Sequence, residues 1–374
     1  MNTHEPDTHT TELPDTAWMA ALLALPKMGP RRLDALIEQE GSGRSSWNRI
    51  RGDSAMRLPN TSFEVVAGWR EASQRYEVED RWAAMQHLGI SANTPSDPDF
   101  PARLRNDLHR PRVLFQRGTV PDGPTVGMVG TRTCTAYGQR CAFEIGRALA
   151  QAGVSVVSGL ALGIDAAAHQ GALAGDSDET QRHGRVIGVV GSGLDVVYPK
   201  RNERLWETVG SVGALLSETP PGIKPAAWRF PARNRIIAGL SDAIVVVESH
   251  ERGGSLLTVD EAQLRDVPIG AIPGPITSPS AAGTNRLLAD GATPILEVED
   301  IFAMIGYTPP TAVSTTDTET LASDLLDVVG WTPVVFEQLC QRVTLPTSQL
   351  AAEIEQLCLK GFLQRKGPWI ERVR

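Results

Sequence analysis

From Thr125 to about Val298 the chain repeats one pattern: a short apolar run, a small-residue loop, then a longer stretch of helical character. The runs are Val126–Val129, Val154–Val157, Val186–Val190, Ala214–Leu216, Ile244–Val247 and Ile269–Ile272, with Ile295–Val298 as a further candidate. None alternates apolar with polar residues, so each strand expects cover on both faces. That is the signature of a parallel sheet sandwiched between helices. The pattern predicts an α/β fold: an extended Rossmann-like, doubly wound parallel sheet.

At 374 residues the chain has room for two or three domains, taking roughly 150 residues for each. Residues 1–15 are polar and predict a disordered tail. Residues 16–95 predict an all-α domain, opened by Trp18, Ala21, Leu22 and Leu25 at i, i+3, i+4, i+7 spacing. The turn Leu25-Pro26-Lys27-Met28-Gly29-Pro30 then leads into Leu33, Leu36 and Ile37, a helix-hairpin-helix shape. Such a turn can hold a phosphate on its amides; a plain packing module is the competing reading. Residues 96–308 form the Rossmann-like domain. Residues 309–320, rich in Pro, Ser and Thr, form a linker. Residues 321–374 predict three helices and a β-hairpin, a winged helix. This module carries no excess of Lys and Arg over Asp and Glu, which favours contact with protein over duplex DNA.

No apolar stretch approaches the ~18 residues needed to span a bilayer. The N-terminus lacks the basic-then-apolar pattern of a signal peptide, so a cytoplasmic location is expected. The four cysteines show no CxxC spacing, which argues against zinc, and no cofactor is expected. Net charge is −8. The segment 200–235 runs against that balance. Lys200, Arg201, Arg204, Lys224, Arg229, Arg233 and Arg235 face only Glu203, Glu207 and Glu218, a local +4. A focused basic pocket and a solvated face both fit that count.

In open parallel sheets, ligands gather at the carboxyl ends of the strands. Five loops should converge there. Gly130-Thr131-Arg132 joins a strand to a helix N-terminus, and Arg132 offers a fork suited to phosphate. Ser158 to Asp165 contains Gly159 and is followed by His169. Asp165 reads as a helix N-cap and His169 as structural, with a catalytic Asp–His pair as the alternative. Gly191-Ser192-Gly193 precedes Lys200. Arg233-Asn234-Arg235 opens an apolar helix, where positive charge opposes the dipole and calls for an anionic partner. That partner is either a ligand or an internal carboxylate, Glu218 or Glu248. Gly254-Ser255 opens the last helix as an anion nest. There is no GxxxxGK[ST], no GxGxxG after the first strand, and no carboxylate pair suggesting hydrolysis.

Taken in order, GTR with a following YG (130–138), SGLALGIDAAAHQGAL (158–173), GSGLDVVYPKRN (191–202), LLSETPPG (215–222), FPARNRIIAGLSDAIVVVE (230–248), GGSLLTV (253–259), IPGP (272–275) and GTNRLLADGA (283–292) resemble the DprA/Smf family of DNA-processing proteins. The resemblance covers about 170 residues, and its flanks resemble a sterile-alpha-motif or helix-hairpin-helix domain and a winged helix. It implies a non-enzymatic protein that binds and protects single-stranded DNA. It also implies a homodimer that loads RecA recombinase onto incoming strands during natural transformation and homologous recombination. Carried over by position, Gly130, Thr131, Arg132, Gly159, Gly191, Gly193, Lys200, Arg233, Asn234, Arg235, Gly254 and Ser255 form the DNA site, with Arg132 the leading phosphate contact. Thr131 stands where the family usually has Ser, and Leu162 where it usually has Arg. The alternative is a nucleotide-binding or nucleotide-hydrolysing protein of the related lysine-decarboxylase-like phosphoribohydrolase families. Those carry a PGGxGTxxE loop that Gly253 to Glu261 does not match.

Overall fold

The structure is a computed structural model; it describes residues 12–52, 56–175, 186–309, 325–326, 328–329, 333–343, 347–359 and 361–373. The expected tail up to Thr11 and the expected linker from Pro310 onward lie outside those residues.

Five helices open the chain: α1 (Asp15–Leu23), α2 (Pro30–Glu40), α3 (Gly43–Arg51), α4 (Phe63–Gln74) and α5 (Val78–His87). The Asp15 carboxylate accepts the backbone N–H groups of Gly43 and Arg44, both at 2.9 Å, and so caps α3. Trp47 and Trp69 fill the centre of this bundle. The Trp69 indole donates to Pro26 O at 2.8 Å, which ties α4 to the α1–α2 turn.

The chain then enters the sheet. The strands are β1 (Ile90–Asn93), β2 (Leu114–Gly118), β3 (Thr125–Val129), β4 (Ser155–Ser158), β5 (Val186–Val189), β6 (Ala214–Ser217), β7 (Ala243–Val246), β8 (Ile269–Ala271) and β9 (Thr293–Pro294). Their order is β1-β2-β6-β5-β4-β3-β7-β8-β9. From β6 to β9 every pairing is parallel, while β1 and β2 add an antiparallel edge. Every residue of β3 to β7 is buried, as unbroken apolar runs require. The run at 295–298 is not a strand of its own: β9 precedes it and α13 (Val298–Met304) begins at its end. The short α6 (Ala102–Arg105) lies between β1 and β2. The covering helices are α7 (Ala136–Gln151), α8 (Ile164–Gly175), α9 (Glu203–Val212), α10 (Arg229–Leu240), α11 (Leu256–Gln263), α12 (Ala282–Ala289) and α13. One apolar cluster runs from Ala17, Leu33 and Trp69 through Phe115 and Val126 to Phe302. The helical bundle and one face of the sheet therefore share a core.

Residues from Pro310 form a second compact unit. Its described elements are β10 (Val334–Val335), α14 (Phe336–Arg342), α15 (Thr347–Leu359), β11 (Leu363–Lys366) and β12 (Trp369–Arg372), with Leu325 and Val329 helical and buried. The strands pair antiparallel in the order β10-β12-β11. Leu339, Leu350, Ile354, Leu363 and Ile370 form a core of its own. This is the winged helix the sequence predicts.

Candidate nucleic-acid interface

Strand order reverses between β3 and β7, so the loops following them flank the topological switch point. In a dinucleotide-binding sheet, the helix N-terminus here would meet a phosphate. In this protein a side chain fills that position. The Glu248 carboxylate accepts the Thr135 backbone N–H at 2.8 Å and the Thr135 hydroxyl at 2.5 Å. Thr135 Oγ1 in turn accepts the Gly138 N–H at 3.1 Å. The Glu248 main-chain carbonyl accepts from Thr131 N at 2.8 Å, which fixes the loop before α7. The buried carboxylate thus anchors the N-cap residue of α7 and sets a negative charge beside the positive end of the helix.

Arg233 is the second internal feature. It is buried and donates to Gly159 O at 2.9 Å and to Val189 O, and its Nε reaches Asn234 Oδ1 at 3.1 Å. Its guanidinium stands 3.9 Å from the buried Asp165 carboxylate, which also accepts Gly159 N–H at 3.1 Å. Burial lowers the arginine pKa to about 10, so it stays charged at neutral pH. Burial pushes Asp165 upward, against the pull of Arg233. Only glycine fits at 159, where a Cβ would lie 1.8 Å from Arg233 Nη2. His169 is fully buried and contacts Ile187 O through Nε2 at 3.2 Å; burial takes its pKa down to about 4.

The remaining sequence candidates divide in the same way. Arg235 pairs with Glu218 and donates to His109 O at 2.6 Å. The internal partner expected of the Arg-Asn-Arg run is thus present for both arginines: Asp165 for Arg233, Glu218 for Arg235. Glu248 pairs with neither. Asn234 is buried beside Arg233. Gly130 packs under Ile164, and Gly193 under Pro220 O. Gly191 abuts the Phe230 ring, where an added Cβ would lie 3.2 Å from Cδ1. Gly254 faces open space, and Ser255 Oγ donates to Ser249 Oγ at 2.9 Å. Lys200 lies in solvent, 3.0 Å from Glu203, an exposed pair of little energetic weight. Thr131 Oγ1 accepts the Thr133 N–H at 3.2 Å.

Arg132 differs from all of these. It is exposed, and among the described residues no hydrogen bond or carboxylate partner engages it. Its guanidinium lies 5.2 Å from the centre of the Phe230 ring. That ring sits 5.5 Å from Tyr198, which is 43% exposed. Immediately before Phe230, Arg229 lies 4.8 Å from the ring of Trp228, which is 56% exposed. The edge therefore presents cations interleaved with aromatic faces. Sequence reasoning singled out Arg132 but not Tyr198, Trp228, Arg229 or Phe230 as contact residues. The available signal was aromatic residues scattered through the +4 segment. Among the described residues, no cluster of His, Cys, Asp and Glu could hold a metal, and no helix is long and apolar enough to cross a membrane.

These features define a Rossmann-type domain with a self-capped switch point and a cationic, aromatic carboxyl edge, joined in the same chain to a winged helix. The chain belongs to the DprA/Smf family of DNA-processing proteins. Residues 91–306 match the family model for DNA recombination-mediator protein A, and residues 309–367 match that for the DprA winged helix domain. DNA processing protein DprA of Bacillus subtilis is 37% identical over 264 residues, covering 67% of this chain and 86% of that one. Protein Smf of Escherichia coli is 33% identical over 283 residues, 72% of this chain and 74% of that one. The crystal structure of DprA from Streptococcus pneumoniae superposes with a TM-score of 0.61 at 27% identity, covering 78% of this chain and 98% of that one. A structure of DprA from Helicobacter pylori, described for its single-stranded DNA binding mode, superposes with a TM-score of 0.51 at 26% identity, covering 59% and 97%.

Proposed function

We propose that this protein binds single-stranded DNA at the carboxyl edge of its sheet and delivers it to RecA recombinase, as a binder rather than a catalyst. The observation that carries this reading is Arg132: exposed, free of a carboxylate partner among the described residues, and stacked on Phe230 beside Tyr198. A guanidinium suits a phosphate, and aromatic faces suit unpaired bases of any sequence. Duplex DNA keeps its bases stacked inside, so the aromatic half of the site favours the single strand. The Glu248 carboxylate beside the α7 N-terminus weighs against a pyrophosphate there, since it sets a negative charge at that helix end. The DNA-binding description of the H. pylori relative points the same way. In this reading Gly159, Arg233, Asn234 and Arg235 build the edge, while Arg132, Phe230 and Tyr198 meet the strand. RecA delivery, homodimerisation and a role in natural transformation complete the proposal and rest on family membership.

Binding of labelled oligo-dT and of duplex, each at two salt concentrations, tests the site. The single strand should bind more tightly, with affinity falling as salt rises. Arg132→Ala should weaken it about tenfold and flatten the log–log salt slope by about 0.7, the value for one lost single-strand phosphate contact. Equal binding of both forms, or an unaffected Arg132→Ala, would sink the assignment. RecA delivery has its own assay: the rate of RecA filament formation on strands pre-coated with single-strand binding protein, with and without this protein.

A further inference from the structure

We propose that the N-terminal helical bundle is a second wall of the DNA site, so that a strand held at Arg132 continues through the groove between the α1–α2 turn and the start of α10. The inference rests on the single-strand reading above and extends it. A groove of about 1410 Å³ opens between these elements. Gly191 and Arg229, which flank the Phe230 ring, are part of its lining, so it begins where the Arg132 site ends. Its walls carry eight Lys and Arg residues against four Asp and Glu, an excess of +4 in a chain of net −8.

That excess survives internal pairing. Asp34 pairs with Arg112, Glu218 with Arg235, Glu261 with Arg265 outside the lining, and Arg233 with Asp165, which leaves Lys27, Arg31, Arg32, Arg110 and Arg229 against Glu38 among the described residues. On the bundle side, Lys27 and Arg31 are exposed, and among the described residues neither side chain has a hydrogen bond or ion pair. On the opposite wall stand Arg229 and the exposed ring of Trp228, which offers a stacking face. A cationic wall facing an aromatic platform across an open channel suits a phosphodiester backbone with its bases turned to the far side. The turn is held for this task. Lys27 adopts φ +57°, and the Arg32 guanidinium donates to Lys27 O at 2.5 Å. This presents the Lys27 side chain on a fixed backbone.

The test uses the full chain and two oligo-dT strands of roughly 6 and roughly 20 nucleotides, which bracket the site sizes of single-strand binders. The double variant Lys27→Asn with Arg31→Gln removes both charges; asparagine tolerates the left-handed backbone at 27. Both side chains are exposed, so the melting temperature should not change. The variant should bind the short strand like the parent, bind the long strand roughly tenfold more weakly, and lose about 1.4 from the salt slope on the long strand, two contacts at 0.7 each. Unchanged long-strand binding, or equal loss on both strands, would overturn the second wall. Short-strand binding that depends on Arg132 would leave the primary site standing in either case. No binding of either strand by the parent protein would overturn both readings.

Discussion

At the scale of single residues, the Arg233 guanidinium is the joint of the carboxyl edge. It ties the ends of β4 and β5 together through Gly159 O and Val189 O. Gly159→Ala would place a methyl group on that guanidinium and separate it from its acceptors. Leaving a buried charge without its partners costs about 3 kcal/mol, so the urea midpoint should fall accordingly. Arg233→Lys should not rescue the site, since an ammonium cannot span the same acceptors as a planar fork. His169 supplies a pH-dependent test. Its folded pKa, about 4, lies below the ordinary 6.5, so the unfolded chain binds the extra proton first. Above pH 6.5 its titration adds no pH dependence to stability. As pH falls from 6.5 toward 4, the folded state should lose stability. Melting curves across that window should show the loss in the parent and a shallower one in His169→Gln.

At the scale of elements, α7 is defined by what occupies its first turn. Glu248 anchors the N-cap residue Thr135, and Thr135 Oγ1 accepts the Gly138 N–H of the first turn. Glu248→Ala should cost about 1 to 2 kcal/mol as a lost cap and a lost helix-dipole partner. The readout is a lower melting temperature with oligo-dT affinity on Arg132 largely kept. A collapse of affinity at unchanged stability would instead place Glu248 in the binding site. Close approach also joins α7 to α8: an added Cβ at Gly171 would lie 1.9 Å from Phe143 O. Gly171→Val should therefore be among the most destabilising single substitutions in the protein, which thermal melting would show.

For the molecule as a whole, cores decide which pieces stand alone. The winged-helix unit has its own apolar centre around Leu339, Leu350 and Ile354. A chain ending at Pro309 should keep its melting transition and its affinity for oligo-dT. The helical bundle is different, because its core continues into the sheet through Phe115 and Val126. A chain starting at Ile90 would uncover that face. It should express poorly or melt well below the full protein, by differential scanning calorimetry of the soluble fraction.

The sequence by itself determined the α/β class, the strands at the centre of the sheet and the winged helix. Those features depend on local pattern: apolar runs, glycine-bearing loops, and a motif order that matches the DprA/Smf family. It also foresaw that two arginines opening an apolar helix need anions. The tertiary structure alone decided which anions, because Asp165 and Glu218 lie far from Arg233 and Arg235 in the chain. It decided that β1 and β2 extend the sheet, since antiparallel edge strands lack the doubly buried apolar signature. It also decided that Glu248 anchors the N-cap of the switch-point helix. Each of these outcomes is a contact between residues distant in sequence, where burial makes an unpaired charge too costly to leave and so selects the partner.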